Sequence, residues 1–414
     1  MDIKENEKMK KVGILAYHSA CNYGANLQIL STIGYFKKKG YEPFVINYEA
    51  KDFVDFYKKV TPKNVYECYK EFREQYMPLT RYCSSLEEIA MVINELGIDA
   101  VIIGSDAVAQ HHSWLERLYF PTKRIFTIVK TTSDRVFPNP FWGTFSSYLE
   151  RRIPMVIMSA SSQDSNYRLF LPFEKKKMRD CLNVFSYVSV RDTWTKEMYK
   201  TITKGKLSPK VTPDPVFAFN FNCEKLILSK EYILEKYHLP EKYCLLSFLN
   251  SKTVSVQWLE EFQKMAKLNN IACVALPFPQ GLLFNHNLDY EIPSPLNPLD
   301  WYALIKYSKG YIGHNMHPIV VCLHNNIPFF SFDNYGLKRF RGLSVNEYTS
   351  KIYHVLKEAK LLEYRVSCLQ KVFIAPPAKF VFNKIINFEG SENFSKLYYD
   401  RYIDMMNNIT KIID

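Results

Sequence analysis

Three histidines, His314, His317 and His324, fall within eleven residues, and the first two stand where a short apolar run hands over to a helical pattern. An imidazole at a helix start suits proton donation or contact with an anion, because it titrates near neutral pH. Metal binding is the rival reading. No carboxylate or cysteine occupies the usual four-residue spacing from either of the first two, and no Glu occurs from Tyr311 to Phe332. A metal ligand set is therefore not expected. His324 reads equally well as a core or capping histidine.

Three further segments place chemistry at the ends of apolar runs. Arg191-Asp192 follows the run Tyr187–Val190 and could present a guanidinium fork to a phosphate or carboxylate, with Asp192 orienting it or capping the next helix. A surface ion pair is the bland alternative. Gly104-Ser105-Asp106 ends another run and could set a hydroxyl and a carboxylate at a sheet edge, although Asp is also a frequent helix cap. Asn22-Tyr23-Gly24-Ala25 stands between a strand and a helix. Its free N–H groups could hold an anion, with Gly24 allowing close approach, and an ordinary turn capped by Asn22 is the alternative. The basic run Glu174–Arg179 has helical spacing and reads as a solvated face rather than a nucleic-acid stripe.

The elements that must position these residues alternate strand and helix. Val12–Ala16 reads as a buried strand, Leu27 to Phe36 as a helix and Pro43–Asn47 as a second strand, which together make a βαβ unit. Ser85-x-x-Glu88 resembles a capping box ahead of the strand Ala100–Ile103, and Pro154–Met158 and Tyr187–Arg191 follow as strands. Proline density then rises near Pro213–Phe217. A second α/β series begins at Tyr243–Phe248 and continues through Ile271–Leu276, Gly310–Gly313 and Ile327–Phe332. Beyond Glu347 the pattern reads as mainly helical. The expected division is a Rossmann-like domain at 1–228, a second at 229–375 carrying the histidine loop, and a helical segment at 376–414 that could pack back on the first.

Composition sets the outer limits. The chain has 414 residues, 47% apolar, with a net charge of +12, which excludes global disorder and is compatible with phosphorylated substrates or an anionic membrane face. Nine scattered cysteines contain no Cys-x-x-Cys pair, so neither a disulfide framework nor a structural zinc site is expected. The charged start, followed by only a short apolar run, reads as neither a signal peptide nor a membrane span. A cytoplasmic protein is expected, with no nucleic-acid partner.

Taken in order, these segments resemble the polysaccharide pyruvyl transferase family, from about Lys11 to about Gly336. The family's N-Y-G-A-x-L-Q segment stands unbroken as Asn22–Gln28, its G-S-D as Gly104–Asp106, and its A-S as Ala160-Ser161. S-V-R-D appears as Ser189–Asp192, D-P-V-F as Asp214–Phe217, and the histidine loop as Gly313–Pro318, aligning His317 with the shared histidine. Asn315 replaces the usual arginine, Pro318 the usual glycine, and Ala107-Val108-Ala109 the common Gln-x-Trp.

The resemblance implies an α/β fold of two Rossmann-like domains facing a cleft, similar to the glycosyltransferase B architecture. It also implies transfer of a pyruvyl group from phosphoenolpyruvate to two hydroxyls of one sugar, forming a cyclic ketal without cofactor or metal. The acceptor would be a polysaccharide or lipid-linked precursor of capsule, exopolysaccharide or cell wall, with the enzyme in the cytoplasm or at the inner membrane face. On this reading Arg191, the Asn22–Ala25 loop and the Lys338-Arg339 segment would neutralise the donor, His317 would protonate it, and Asp106 would orient a sugar hydroxyl or take its proton. Tyr23, Ser105, Ser161, His314 and Asn315 would line the substrate site. Two alternatives share the fold: a nucleotide-sugar glycosyltransferase, and a non-catalytic binding protein of a polysaccharide-assembly complex.

Overall fold

A computed structural model describes residues 9–119, 127–339, 344–370 and 372–414. Apolar runs with polar tails become the strands of two parallel six-stranded sheets. The first comprises β1 (Lys11–Leu15), β2 (Glu42–Val45), β3 (Ala100–Asp106), β4 (Met155–Ala160), β5 (Tyr187–Val190) and β6 (Lys210–Val211), in the order β2-β1-β3-β4-β5-β6. The second comprises β7 (Tyr243–Ser247), β8 (Ala272–Ala275), β9 (Tyr290–Glu291), β10 (Gly310–Gly313), β11 (Phe329–Asp333) and β12 (Arg365–Ser367), in the order β9-β8-β7-β10-β11-β12. The molecule is thus α/β, with two Rossmann-like halves facing a cleft. Strand order reverses between β1 and β3 in one sheet and between β7 and β10 in the other. Ligand crevices of open parallel sheets form beyond the carboxyl ends of strands at such reversals.

The helices that follow these strands start where the sequence supplies caps. Asn22 accepts a hydrogen bond from the Ala25 N–H at 3.2 Å and opens α1 (Tyr23–Lys38), and Asp192 accepts one from the Thr195 N–H at 2.7 Å and opens α2 (Thr193–Ile202). The Ser85 cap is only half of the box expected: its hydroxyl accepts from the Glu88 N–H, but the Glu88 carboxylate turns to the N–H of Ser84. α3 (Met316–Asn325) follows β10 directly, and Pro318 falls within its first turn. Ser350 caps α4 (Lys351–Glu358) by accepting from two N–H groups.

One apolar cluster runs from Val12 and Ile102 in the first sheet to Leu245 and Tyr311 in the second, so the two halves share a packed seam. Tyr23 stacks on Trp301 across it, with ring centroids 5.1 Å apart. The final helix, α5 (Glu392–Ile413), lies against both halves: Tyr402 bonds Asn222, Met405 touches Ser159, and Ser391 at its start bonds the Leu323 carbonyl.

The chain beyond Glu347 is mainly helical, and within it Arg365–Ser367 pairs with Ser331–Asp333 as an edge strand. Two helices, Lys51–Val60 and Lys63–Tyr76, occupy a stretch for which the sequence pattern gave no element. Lys176 and Lys177 of the basic run are exposed, as a solvated face requires. All nine cysteines are free thiols, and no helix among the described residues is long and apolar enough to cross a membrane.

Candidate active site

Four separated stretches of sequence meet beyond the carboxyl end of the first sheet. Asp214 accepts hydrogen bonds from Arg191 Nη1 and Gln28 Nε2 on one carboxylate oxygen, each at 2.6 Å, and from the Val216 N–H on the other at 3.0 Å. Arg191 Nη2 donates to Asp106 Oδ1 at 3.0 Å. All four side chains are buried, so the guanidinium is clamped between two carboxylates by charge-assisted bonds. Burial alone would push Asp106 up, but the neighbouring charges of Arg191 and Lys351, with the Arg191 hydrogen bond, outweigh it and hold its carboxyl well below the usual range.

The second half contributes His317 from the first turn of α3. Its ring lies against Gly24 at the start of α1: a Cβ built on Gly24 would fall 1.9 Å from His317 Cγ. The close approach that this glycine permits is therefore that of an imidazole from the other domain. His317 Nε2 stands 3.8 Å from Asp214 Oδ2 and has no hydrogen-bond partner among the described residues. Burial lowers its pKa to about 4 against the opposing pull of Asp214 and Asp106, so the ring is neutral at pH 7 in the ligand-free protein.

Asp106, Gly24 and His317 border a cavity of about 230 Å³ between the two sheets, walled also by Tyr17, Arg135 and Lys351. Both strand-order reversals open into it, through Asp106 on one side and Ser247 and Asn315 on the other. Asp106 and Asn315 have φ of 72° and 78°. Such left-handed backbone in non-glycine residues is strained and tends to gather at functional sites.

Of the residues singled out in the sequence, Asn22, Tyr23, Gly24, Asp106, Asn315 and His317 line this cavity. The other four stand behind it. Ser105 accepts from the Asp106 N–H at 2.6 Å, and Ser161 donates to Asp192, which is engaged in capping α2. His314 accepts from the Leu249 N–H at 3.2 Å and packs near Phe248 and Phe332, with burial lowering its pKa to about 4. Arg191, expected to receive the donor's anionic groups, donates from each terminal nitrogen to a protein carboxylate, while its Nε has no hydrogen-bond partner among the described residues. Asp106 makes no side-chain cap, and His324 accepts from the Asn220 N–H as a structural histidine. The side chains of the Lys338-Arg339 segment lie outside the described residues.

Three participants escaped the sequence reading. Gln28 is one of four buried polar side chains in α1, with Asn26, Ser31 and Thr32. Asp214 lies between two prolines, where the sequence marks a turn rather than a site. Lys351 has no motif around it, and only the fold brings it to the cavity.

The sequence model describing polysaccharide pyruvyl transferases matches residues 22–335. The chain belongs to the polysaccharide pyruvyl transferase family. The matched region encloses Gln28, Asp106, Arg191, Asp214 and His317, so the network and the histidine above it both belong to the family segment, and Lys351 lies beyond it. No curated protein matches the chain. Among solved structures, UDP-N-acetylglucosamine 2-epimerase from Rickettsia bellii aligns with TM-score 0.48 and 10% identity, covering 98% of this chain and 96% of that one. The UDP-GlcNAc 2-epimerase from Methanocaldococcus jannaschii gives TM-score 0.48 and 10% identity, with coverages of 92% and 94%. The S. aureus MnaA–UDP structure gives TM-score 0.43 and 16% identity, with coverages of 92% and 89%.

Proposed function

We propose that this member of the family transfers a pyruvyl group from phosphoenolpyruvate to two hydroxyls of one sugar in a polysaccharide or lipid-linked precursor, forming a cyclic ketal. The observation that carries the reading is the buried imidazole of His317, unpartnered at Nε2 and facing the cavity where the two sheets reverse order, inside the family-matched segment.

The chemistry asks for a proton donor beside an anion site. A proton passes from His317 to the methylene carbon of the donor, the C=C electron pair forms the new C–H bond, and C2 becomes oxocarbenium-like. One sugar hydroxyl adds to C2 and loses its proton, the C2–O bond to phosphate breaks, and a second hydroxyl closes the ring. Two hydroxyl protons are released, one balancing the proton given to carbon and one leaving with phosphate.

Burial keeps His317 neutral, and arrival of the donor's negative charges raises its proton affinity. The imidazole thus becomes the acid when there is a donor to protonate. Asp106, held ionised by Arg191, is a poor proton acceptor and serves to accept a hydrogen bond from a sugar hydroxyl. The net charge of +12 favours anionic substrates and an anionic membrane surface, so we place the enzyme in the cytoplasm, at the inner face where lipid-linked acceptors lie.

The test is phosphate release from phosphoenolpyruvate in D₂O with a panel of sugar and lipid-linked acceptors. The reading requires acceptor-dependent phosphate release and a product methyl group carrying one deuterium. Release of free pyruvate irrespective of acceptor, or glycosyl transfer from a nucleotide sugar instead, contradicts it.

A further inference from the structure

Lys351 is 7% exposed, and among the described residues its Nζ makes no ion pair and no hydrogen bond, meeting only the Tyr335 ring. A buried ammonium without an acceptor is costly. Its charged neighbours cannot relieve it. Arg191 repels it, Asp192 is occupied by Ser161 and the Thr195 N–H, and both Asp214 oxygens already accept from protein donors. Asp106 is held by Arg191 through one oxygen. The pull of these carboxylates is weaker than burial and the Arg191 charge, which together push the Lys351 pKa down.

The surrounding structure fixes this amine deliberately in the cavity. Asp333 at the end of β11 accepts from the Ser350 hydroxyl at 2.5 Å, from Arg365 Nε at 2.7 Å and from the Tyr335 N–H at 2.8 Å. One buried carboxylate thereby holds both the cap of α4 and the turn bearing Tyr335. Lys351 Nζ lies over the Tyr335 ring, 4.5 Å from its centroid, and the Tyr335 hydroxyl donates to Asn315 at 3.3 Å. The aromatic face stabilises the cation without consuming its N–H donors. All three donors remain for a ligand. Lys351, Tyr335 and Gln163 border both the cavity that contains His317 and an adjoining one of about 390 Å³.

We propose that Lys351 receives the phosphate of the donor, supplying the point charge that Arg191, clamped between Asp106 and Asp214, does not. The assignment rests on the phosphoenolpyruvate reading above. A compact ammonium with three donors suits a phosphate, and its charge offsets the negative charge that develops on the departing phosphate when the C2–O bond pair moves to oxygen. Lys351 lies outside the family-matched residues 22–335, so it distinguishes this chain's cavity from what the family segment alone supplies.

Calorimetric titration of the full chain with phosphoenolpyruvate, beside K351M and K351Q, tests it. The expected result is a Kd raised about ten- to hundredfold in both variants, the range for losing one charge-assisted bond, with unchanged circular dichroism. Wild-type protein is also labelled with an amine-acylating reagent and mapped by mass spectrometry, with phosphoenolpyruvate expected to slow modification of Lys351. This second measurement stands if a variant fails to fold. Wild type that binds the donor while the variants bind equally well, or while Lys351 is labelled at the same rate, overturns the Lys351 assignment alone. Wild type that does not bind phosphoenolpyruvate overturns the donor reading and this assignment with it.

Discussion

The two faces of the cleft handle polar groups in opposite ways. On the first-sheet face, Asp106, Arg191, Asp214 and Gln28 are bonded to one another within 3.0 Å and leave only the Arg191 Nε unpartnered among the described residues, while on the second-sheet face His317 Nε2 has no hydrogen-bond partner and Lys351 Nζ meets only the Tyr335 ring among the described residues. Buried ion pairs hold geometry without adding much net stability, whereas unpaired buried donors are tolerated where a ligand completes them. The first face is therefore read as a rigid support and the second as the reactive surface. Gly24 joins them, because only a residue without a side chain lets the imidazole rest on the start of α1.

Breaking the support should give the largest effect. Arg191→Met leaves two buried carboxylates facing each other, and unfolding in denaturant should show a loss of about 3–5 kcal/mol. A loss under about 1 kcal/mol would mean that the clamp is not a structural unit. Breaking the reactive face should do the reverse: His317→Gln should lower turnover by about 10²–10⁴-fold while the melting temperature stays close to that of wild type. Undiminished turnover by a folded variant would remove His317 from the mechanism.

Acid should sharpen the contrast more gently. Burial lowers the pKa of His111, His314 and His317 to about 4 and that of His324 to about 3. The unfolded chain therefore binds protons on these rings between about pH 6.5 and pH 4 that the folded chain does not. Their contribution to stability is complete above about pH 6.5 and is lost as pH falls toward 4. Chemical unfolding should show a slope steeper than about 1.4 kcal/mol per pH unit in that window, the mark of more than one proton. Stability that rises on acidification would contradict the buried neutral state of these histidines.

The sequence made the framework legible because strand burial is a local pattern. Apolar runs with polar tails located most core strands, and Asn22 and Asp192 declared themselves as caps by residue type and position. What tertiary pairing decides was not visible. β3 extends through Asp106 because Asp106 pairs with Ala160 of β4, and Arg365–Ser367, only three residues long, is a strand through its neighbour β11. Arg191 was recognisable as a site residue, but its partners lie 23 and 85 residues away, and nothing in Arg191-Asp192 reveals that the guanidinium is already bound. Lys351 shows the same limit from the other side: an ordinary lysine in sequence, it becomes a buried cation with no ion pair among the described residues only when Asp333 fixes the turn and the cap around it.

The most direct test of the account is a thermal-shift titration of the full chain with phosphoenolpyruvate beside phosphate, nucleotides and nucleotide sugars, since a selective ligand stabilises the folded state by mass action. The account predicts a rise in melting temperature with phosphoenolpyruvate that phosphate does not reproduce and nucleotides do not share. Stabilisation by nucleotide sugars alone would contradict it.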